Sequence, residues 1–178
     1  LAGWGERAGV DRRQAIVEQI PHLRRYARAL RRDAGTADDL VQDCLERALS
    51  RFHLFRTGTD LRRWLFTILH NLHVNQTRRA GRRLDDGTLD ERVDLAGPAG
   101  LGPDRGLPVR DLGRALERLP DEQREVVLLI GLEEMSYKEA ADIVGVPVGT
   151  VMSRLARGRV RLRQLMDSGD SPALRRVK

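Results

Sequence analysis

The chain has 178 residues, room for one domain or two small ones. Its 32 Lys and Arg against 26 acids leave a formal net charge of +6 and a pI near 10.5, which points to a polyanionic partner met by a local concentration of basic residues. The one cysteine, Cys44, excludes an intrachain disulfide. No apolar run approaches the ~20 residues needed to cross a bilayer, and the opening LAGWGERAGVDRR lacks a signal peptide's apolar centre, so a soluble, cytoplasmic protein without membrane insertion is expected.

From Asp11 to Arg32, Ile16, Ile20, Leu23, Ala27 and Leu30 recur four and three apart, which predicts an amphipathic helix. Pro21 within it predicts a kink or an earlier helix end. A second helix is expected after Gly35, capped by Thr36, with Asp38 and Asp39 at its positive end. Its stripe is Ala37, Leu40, Val41, Cys44, Leu45, Ala48, Leu49 and Phe52, which gives Cys44 a packing role. After a polar loop, His53 to Asp60, a third helix turns Leu61, Trp64, Leu65, Ile68, Leu69 and Leu72 inward. Its end changes character: Asn71, Asn75, Gln76, Arg78 and Arg79, followed by Arg82 and Arg83, supply amides suited to base edges and guanidiniums suited to phosphates. His70 and His73 have metal-ligand spacing, but no second His or Cys pair completes a tetrahedral site. No metal is expected.

From Leu84 to Pro108, Gly, Pro and acids replace the helical pattern, and this composition cannot bury enough apolar surface for a core. Asp85, Asp86, Asp90, Glu91 and Asp94 make the first part of this linker acidic. Helical spacing resumes with Val109, Leu112, Ala115, Leu116 and Leu119, and after Pro120 the segment DEQREVVLLIGL is apolar enough to be buried. Ser136 to Met166 then reads as helix, turn, helix. Ala140, Ala141 and Val144 line the first helix, Gly145 can end it with positive φ, and Pro147 suits the start of the next. In the second helix Val151, Leu155, Gly158, Leu162 and Leu165 face inward. The opposite side carries Ser153, Ala156 and Arg157, flanked by Arg154 and Arg161 and by Met152, Arg159 and Arg163. Such a helix fits a major groove, its middle on base edges and its flanks on phosphates. The expected fold is all-α: two small helical domains, 11–83 and 109–167, joined by a flexible linker, 84–108, with a helix-turn-helix in the second.

Two long segments, TADDLVQDCLERAL and LPDEQREVVLLIGLEEMSYKEAADIVGVPVGTVMSRL, make the chain resemble an extracytoplasmic-function (group IV) sigma factor of bacterial RNA polymerase over about Asp11 to Met166. A helix-turn-helix alone would not separate it from repressors and response regulators. The resemblance implies a protein that directs core polymerase to promoters and opens them, with no covalent chemistry and no cofactor. It assigns Asp39, Leu40, Gln42 and Asp43 to the clamp helices of the polymerase largest subunit. The loop from His53 to Thr59, with Asn71, Asn75, Arg78 and Arg79, falls on the minus-ten element. Thr150, Met152, Ser153, Arg154 and Arg157 fall on the minus-thirty-five element as duplex. Met152 and Ala156 stand where the family often has a basic and a bulkier residue, which shifts recognition there toward duplex shape. The polymerase flap and an anti-sigma factor are further partners implied by the family, and the linker acids could stand in for phosphates in polymerase channels. Three other readings are weaker. A decoy that only sequesters an anti-sigma factor has no use for the basic rows, a nuclease needs clustered carboxylates or a nucleophile with its base, and a simple repressor leaves the first domain unexplained.

Overall fold

The computed structural model describes residues 3–31, 33–55, 60–85 and 107–167. These hold seven α-helices and no strand. The N-terminal half is α1 (Gly3–Leu30), α2 (Ala34–Ser50) and α3 (Leu61–Asp85), with a short 3-10 turn at Phe52–Leu54 between the last two. The C-terminal half is α4 (Leu107–Glu117), α5 (Asp121–Gly131), α6 (Tyr137–Val144) and α7 (Val148–Asp167). Helices thus reach Asp85 on one side of the linker and Leu107 on the other. The linker acids Asp86, Asp90, Glu91 and Asp94 lie outside the described residues, as do residues 56–59 of the polar loop.

The apolar stripes meet as their spacing requires. Leu23, Tyr26, Ala27 and Leu30 of α1 pack on Ala37, Leu40, Val41, Cys44 and Ala48 of α2 and on Leu65, Phe66 and Leu69 of α3. Tyr26 and Phe66 make an edge-on ring contact, centroids 5.2 Å apart. Cys44 lies in this core, and burial pushes its thiol pKa up to about 12. In the other half Val126, Leu128 and Leu129 of α5 pack with Met135, Ala140, Ala141, Ile143, Val151 and Leu155.

Local expectations meet three corrections. First, α1 runs through Pro21 without ending. Both Pro21 and Val17, whose carbonyl loses its intrahelical donor, are exposed, so water can serve that carbonyl. Second, α2 begins at Ala34, before Gly35, because Asp33 is the cap: its Oδ2 accepts from Thr36 N at 2.7 Å. This bond holds the Asp33 carboxyl below the usual range. A charged acceptor three residues upstream displaced the Thr36 cap. Third, Leu49 is 52% exposed although it continues the stripe, because the chain turns into the 3-10 segment just after it.

The helix-turn-helix is sharply punctuated. Ser136 and Glu139 form a reciprocal capping box at the start of α6, and Gly145 closes it at φ 70° with its N–H on Ala141 O. Pro147 precedes α7 and accepts from Thr150 N and Val151 N. Gly158 is where α7 comes closest to α5: a Cβ there would sit 2.8 Å from Val127 Cγ2. The two halves also pack on each other, α6 against α3 and α5 against α1.

Candidate nucleic-acid interface

Three separate surfaces emerge from the residues singled out above. On α2, Asp39, Gln42 and Asp43 are exposed on the side away from the core, whereas Leu40 is fully buried. Leu40 therefore holds the helix from beneath and offers no surface in this conformation. The polar face is pre-arranged. Arg31 donates to Gln76 Oε1 at 2.6 Å, Gln76 Nε2 donates to Asp43 Oδ2 at 3.0 Å, and Gln42 Nε2 donates to Glu46 Oε1 at 3.0 Å. Arg31, Thr36, Asp39, Gln42, Asp43 and Gln76 line one open recess. Arg31 and Gln76 were not foreseen as part of this surface. Arg31 lies eight and twelve residues before Asp39 and Asp43, and Gln76 lies on a different helix, so neither position carries a sequence signal.

The second surface is the C-terminal part of α3. Asn71, Asn75, Arg78 and Arg79 are all exposed, and their spacing of four, three and one places them on one side of the helix. His70 and His73 turn the other way and are buried. Each approaches Glu125 of α5, His70 Nδ1 at 3.3 Å and His73 Nε2 at 3.7 Å. Burial, with Arg31 nearby, lowers the His73 pKa from 6.5 to about 4 against the opposing pull of Glu125. Among the described residues no cluster of three or more His, Cys, Asp or Glu could hold a metal ion. At the base of the preceding loop, Phe52, Phe55 and Trp64 form a triangle of rings with centroids 5.2 to 6.0 Å apart. This aromatic cluster ties the chain just before the loop to the first turn of α3, and the sequence reading did not assemble it.

The third surface is α7. Met152, Ser153, Ala156 and Arg157 are exposed, Thr150 is half-buried, and Val151, Leu155 and Gly158 are buried beneath them. Arg157 is steered along its own helix, with Nε donating to Ser153 O at 3.2 Å, while Ser153 Oγ donates to Thr150 O at 3.0 Å. Arg154 points differently. Its side chain is 15% exposed and pairs with Glu122 of α5 at 2.9 Å, so it ties α7 to its support. An open recess bounded by Gln123, Ala156, Arg157, Val160, Arg161 and Gln164 runs alongside. Val160, 55% exposed, joins Met152 and Ala156 as an apolar member of this outer side.

Two family models match: "Sigma2 domain of PhyR" over residues 16–70 and "Sigma-70, region 4" over residues 110–162. The ECF RNA polymerase sigma factor EcfG of Rhodopseudomonas palustris is 38% identical over 154 residues, 86% of this chain and 84% of the relative. The sigma factor RpoE of Bartonella quintana, solved with the anti-sigma factor NepR, superposes with a TM-score of 0.76 at 37% identity, over 88% of this chain and 97% of that one. The anti-anti-sigma factor PhyR of the same organism reaches a TM-score of 0.56 at 17% identity, covering 84% of this chain and 48% of that one. That likeness is one of fold alone. With its two sigma domains in order and its likeness to EcfG over most of both chains, the chain belongs to the ECF RNA polymerase sigma factors.

Proposed function

We propose that this sigma factor engages promoters at two points and polymerase at a third, using the three surfaces described. The observation that carries the reading is that α3 and α7 each present amide or hydroxyl groups flanked by exposed arginines, on opposite sides of a linker. On α7, Ser153 and Arg157 read the minus-thirty-five duplex, with Thr150 and Met152 at the rim and Arg154 acting through its anchor on Glu122. On α3, Asn71 and Asn75 read the minus-ten element while Arg78 and Arg79 hold its strand. A base leaving the stack costs a few kcal/mol and needs a pocket and strand contacts to compensate. The loop pinned by Phe52, Phe55 and Trp64 supports such a pocket. Asp39, Gln42 and Asp43 dock on the clamp helices of the polymerase largest subunit, and the C-terminal domain meets the flap.

The protein acts by binding and strand separation, without covalent chemistry, in the cytoplasm where the polymerase works. No helix among the described residues is long and apolar enough to cross a membrane. An anti-sigma factor is the expected regulator, a proposal supported by the NepR complex of the Bartonella relative. In vitro transcription with core polymerase on a promoter library tests the reading and returns both recognition elements. Promoter-specific transcripts are expected. A protein that captures an anti-sigma factor but yields no such transcript would be a decoy instead.

A further inference from the structure

The outer side of α7 carries an apolar row. Val148, Met152, Ala156 and Val160 recur every four residues, which sets them one above another along the helix, and all four are exposed. The adjoining row on one side, also spaced by four, is Gly149, Ser153, Arg157 and Arg161. The row on the other side begins with the buried Val151 and Leu155 and ends with the exposed Arg159 and Arg163. The N-terminal half of this face is therefore apolar or small, and its C-terminal half is flanked by guanidiniums on both sides.

Polar groups are few over the apolar half, and those present are engaged. Arg154 is drawn back onto Glu122 at 2.9 Å, its side chain 15% exposed. Ser153 Oγ donates its proton to Thr150 O at 3.0 Å, and Arg157 Nε donates to Ser153 O at 3.2 Å. Gly149 points the same way. A Cβ there would meet no heavy atom of the described residues within 4 Å, so packing inside the protein does not demand a glycine, although glycine weakens a helix. A missing side chain at that place suits a ligand that approaches the backbone from outside.

The major groove offers one apolar group to such a surface, the C5 methyl of thymine, which cytosine lacks. The row from Val148 to Val160 is about 18 Å long, the rise of about five base pairs. Arginines on both sides of its far half match phosphate backbones on both sides of a groove. The N-terminal residues of a recognition helix lie nearest the base edges, and here these include Gly149, Met152, Ser153 and Ala156. We propose that Met152 and Ala156 contact thymine C5 methyls in the minus-thirty-five element, so that α7 selects thymine over cytosine by apolar contact. Met152, unbranched and adaptable, follows the methyl, while Ala156 and Gly149 let the helix seat deeply. This rests on the two-point promoter reading above.

The test uses the full chain with core polymerase and a promoter recovered from library transcription. Each thymine of its minus-thirty-five duplex, in either strand, is replaced in turn by deoxyuridine, which removes the methyl and keeps the pairing. Competition binding should show a loss of about fourfold at one or two positions, the effect of uncovering one methyl. At such a position cytosine should lose at least as much, and 5-methylcytosine should recover about fourfold. Met152→Ala and Ala156→Ser, both at exposed sites, should each bind the parent duplex more weakly and respond to deoxyuridine at one of these positions by less than about twofold. Selective binding with no deoxyuridine effect at any position would overturn the methyl contact and leave the row to a protein partner. Equal deoxyuridine losses in the parent and both variants would also overturn it, since the methyl would then act through duplex shape. Failure to bind any promoter selectively would overturn the promoter reading, and this inference with it.

Discussion

Gly158 fixes how close α7 lies to α5, and Gly158→Ala measures that closeness. A Cβ at this position would stand 2.8 Å from Val127 Cγ2, 3.4 Å from Gln123 Cβ and 3.5 Å from Gln123 O. The first contact is too short to persist, and Val127 is a β-branched residue on a helix with little rotamer freedom to yield. Overpacking of this kind costs about 1–3 kcal/mol. Alanine recovers about 1 kcal/mol of helix propensity over glycine. The balance is a net loss of roughly 0–2 kcal/mol, accompanied by an outward shift of α7 that moves Ser153 and Arg157 together. Urea denaturation of the full chain gives the first quantity, and binding to a minus-thirty-five duplex reports the second. Val127→Ala alone should cost about 1–2 kcal/mol through lost packing, whereas the double variant should cost less than the sum, because the new methyl fills the vacated space. A Gly158→Ala protein more stable than the parent by about the full propensity gain, with unchanged duplex affinity, would falsify the close approach.

Ser136→Ala removes the reciprocal cap of α6 and should destabilise the C-terminal domain by about 1 kcal/mol, read by thermal or urea unfolding. Arg157→Ala should weaken promoter binding by about 1–3 kcal/mol, with a changed preference at one base position if the guanidinium meets a base edge; a uniform loss over all sequences would place it on phosphate. Cys44, buried with its thiol pushed up to about 12, should resist thiol reagents at pH 8 in the native protein and react only as fast as the domain unfolds. His73 is neutral in the folded chain down to about pH 4 against an ordinary 6.5. The unfolded chain therefore takes up the proton first, and stability is full above pH 6.5 and falls by up to roughly 3 kcal/mol on descending to pH 4. His73→Gln should flatten that fall in urea titrations between pH 7.5 and 4.5, and an unaltered slope would refute the assignment.

The fold was readable because its information is local. Stripes such as Leu40, Val41, Cys44 and Ala48, or Val151 and Leu155, repeat at helical spacing, and Gly145 with Pro147 marks the turn between α6 and α7. Where the reading slipped, a competitor of the same chemical kind stood close by. Asp33 took the cap assigned to Thr36, and Ile143 joined Ala140 and Ala141 as a buried residue of α6, with Val144 partly buried beside them. The long segments TADDLVQDCLERAL and LPDEQREVV, by contrast, carried the family. What lay outside the sequence was contact between elements far apart in the chain. Nothing in the run DEQREVV announces that Glu125 is buried beside two histidines of α3, or that Arg124 is buried too. Glu133, in the polar run LEEMS, reads as a solvated turn residue until helices more than 70 positions away are placed around it.

That blind spot explains why net charge alone misjudges the basic surface. Arginines on the first turn of α3, Arg62 and Arg63, are occupied by Glu133 and Asp142, and Arg25 of α1 joins them. Arg78, Arg79 and Arg82, toward the end of α3, stay exposed, as do Arg157, Arg159, Arg161 and Arg163 of α7. The arginines at the two ends of α3 are therefore divided between protein acids and solvent. The division has a physical consequence. Contacts of exposed arginines with phosphate release counterions and weaken steeply with salt, whereas a carboxylate at 0% exposure is little screened. Rising ionic strength should therefore weaken any phosphate contact of the exposed arginines much more than the buried Glu133 contact. The partition of arginines along α3, more than the overall charge of +6, decides which part of that helix is left open to a polyanion.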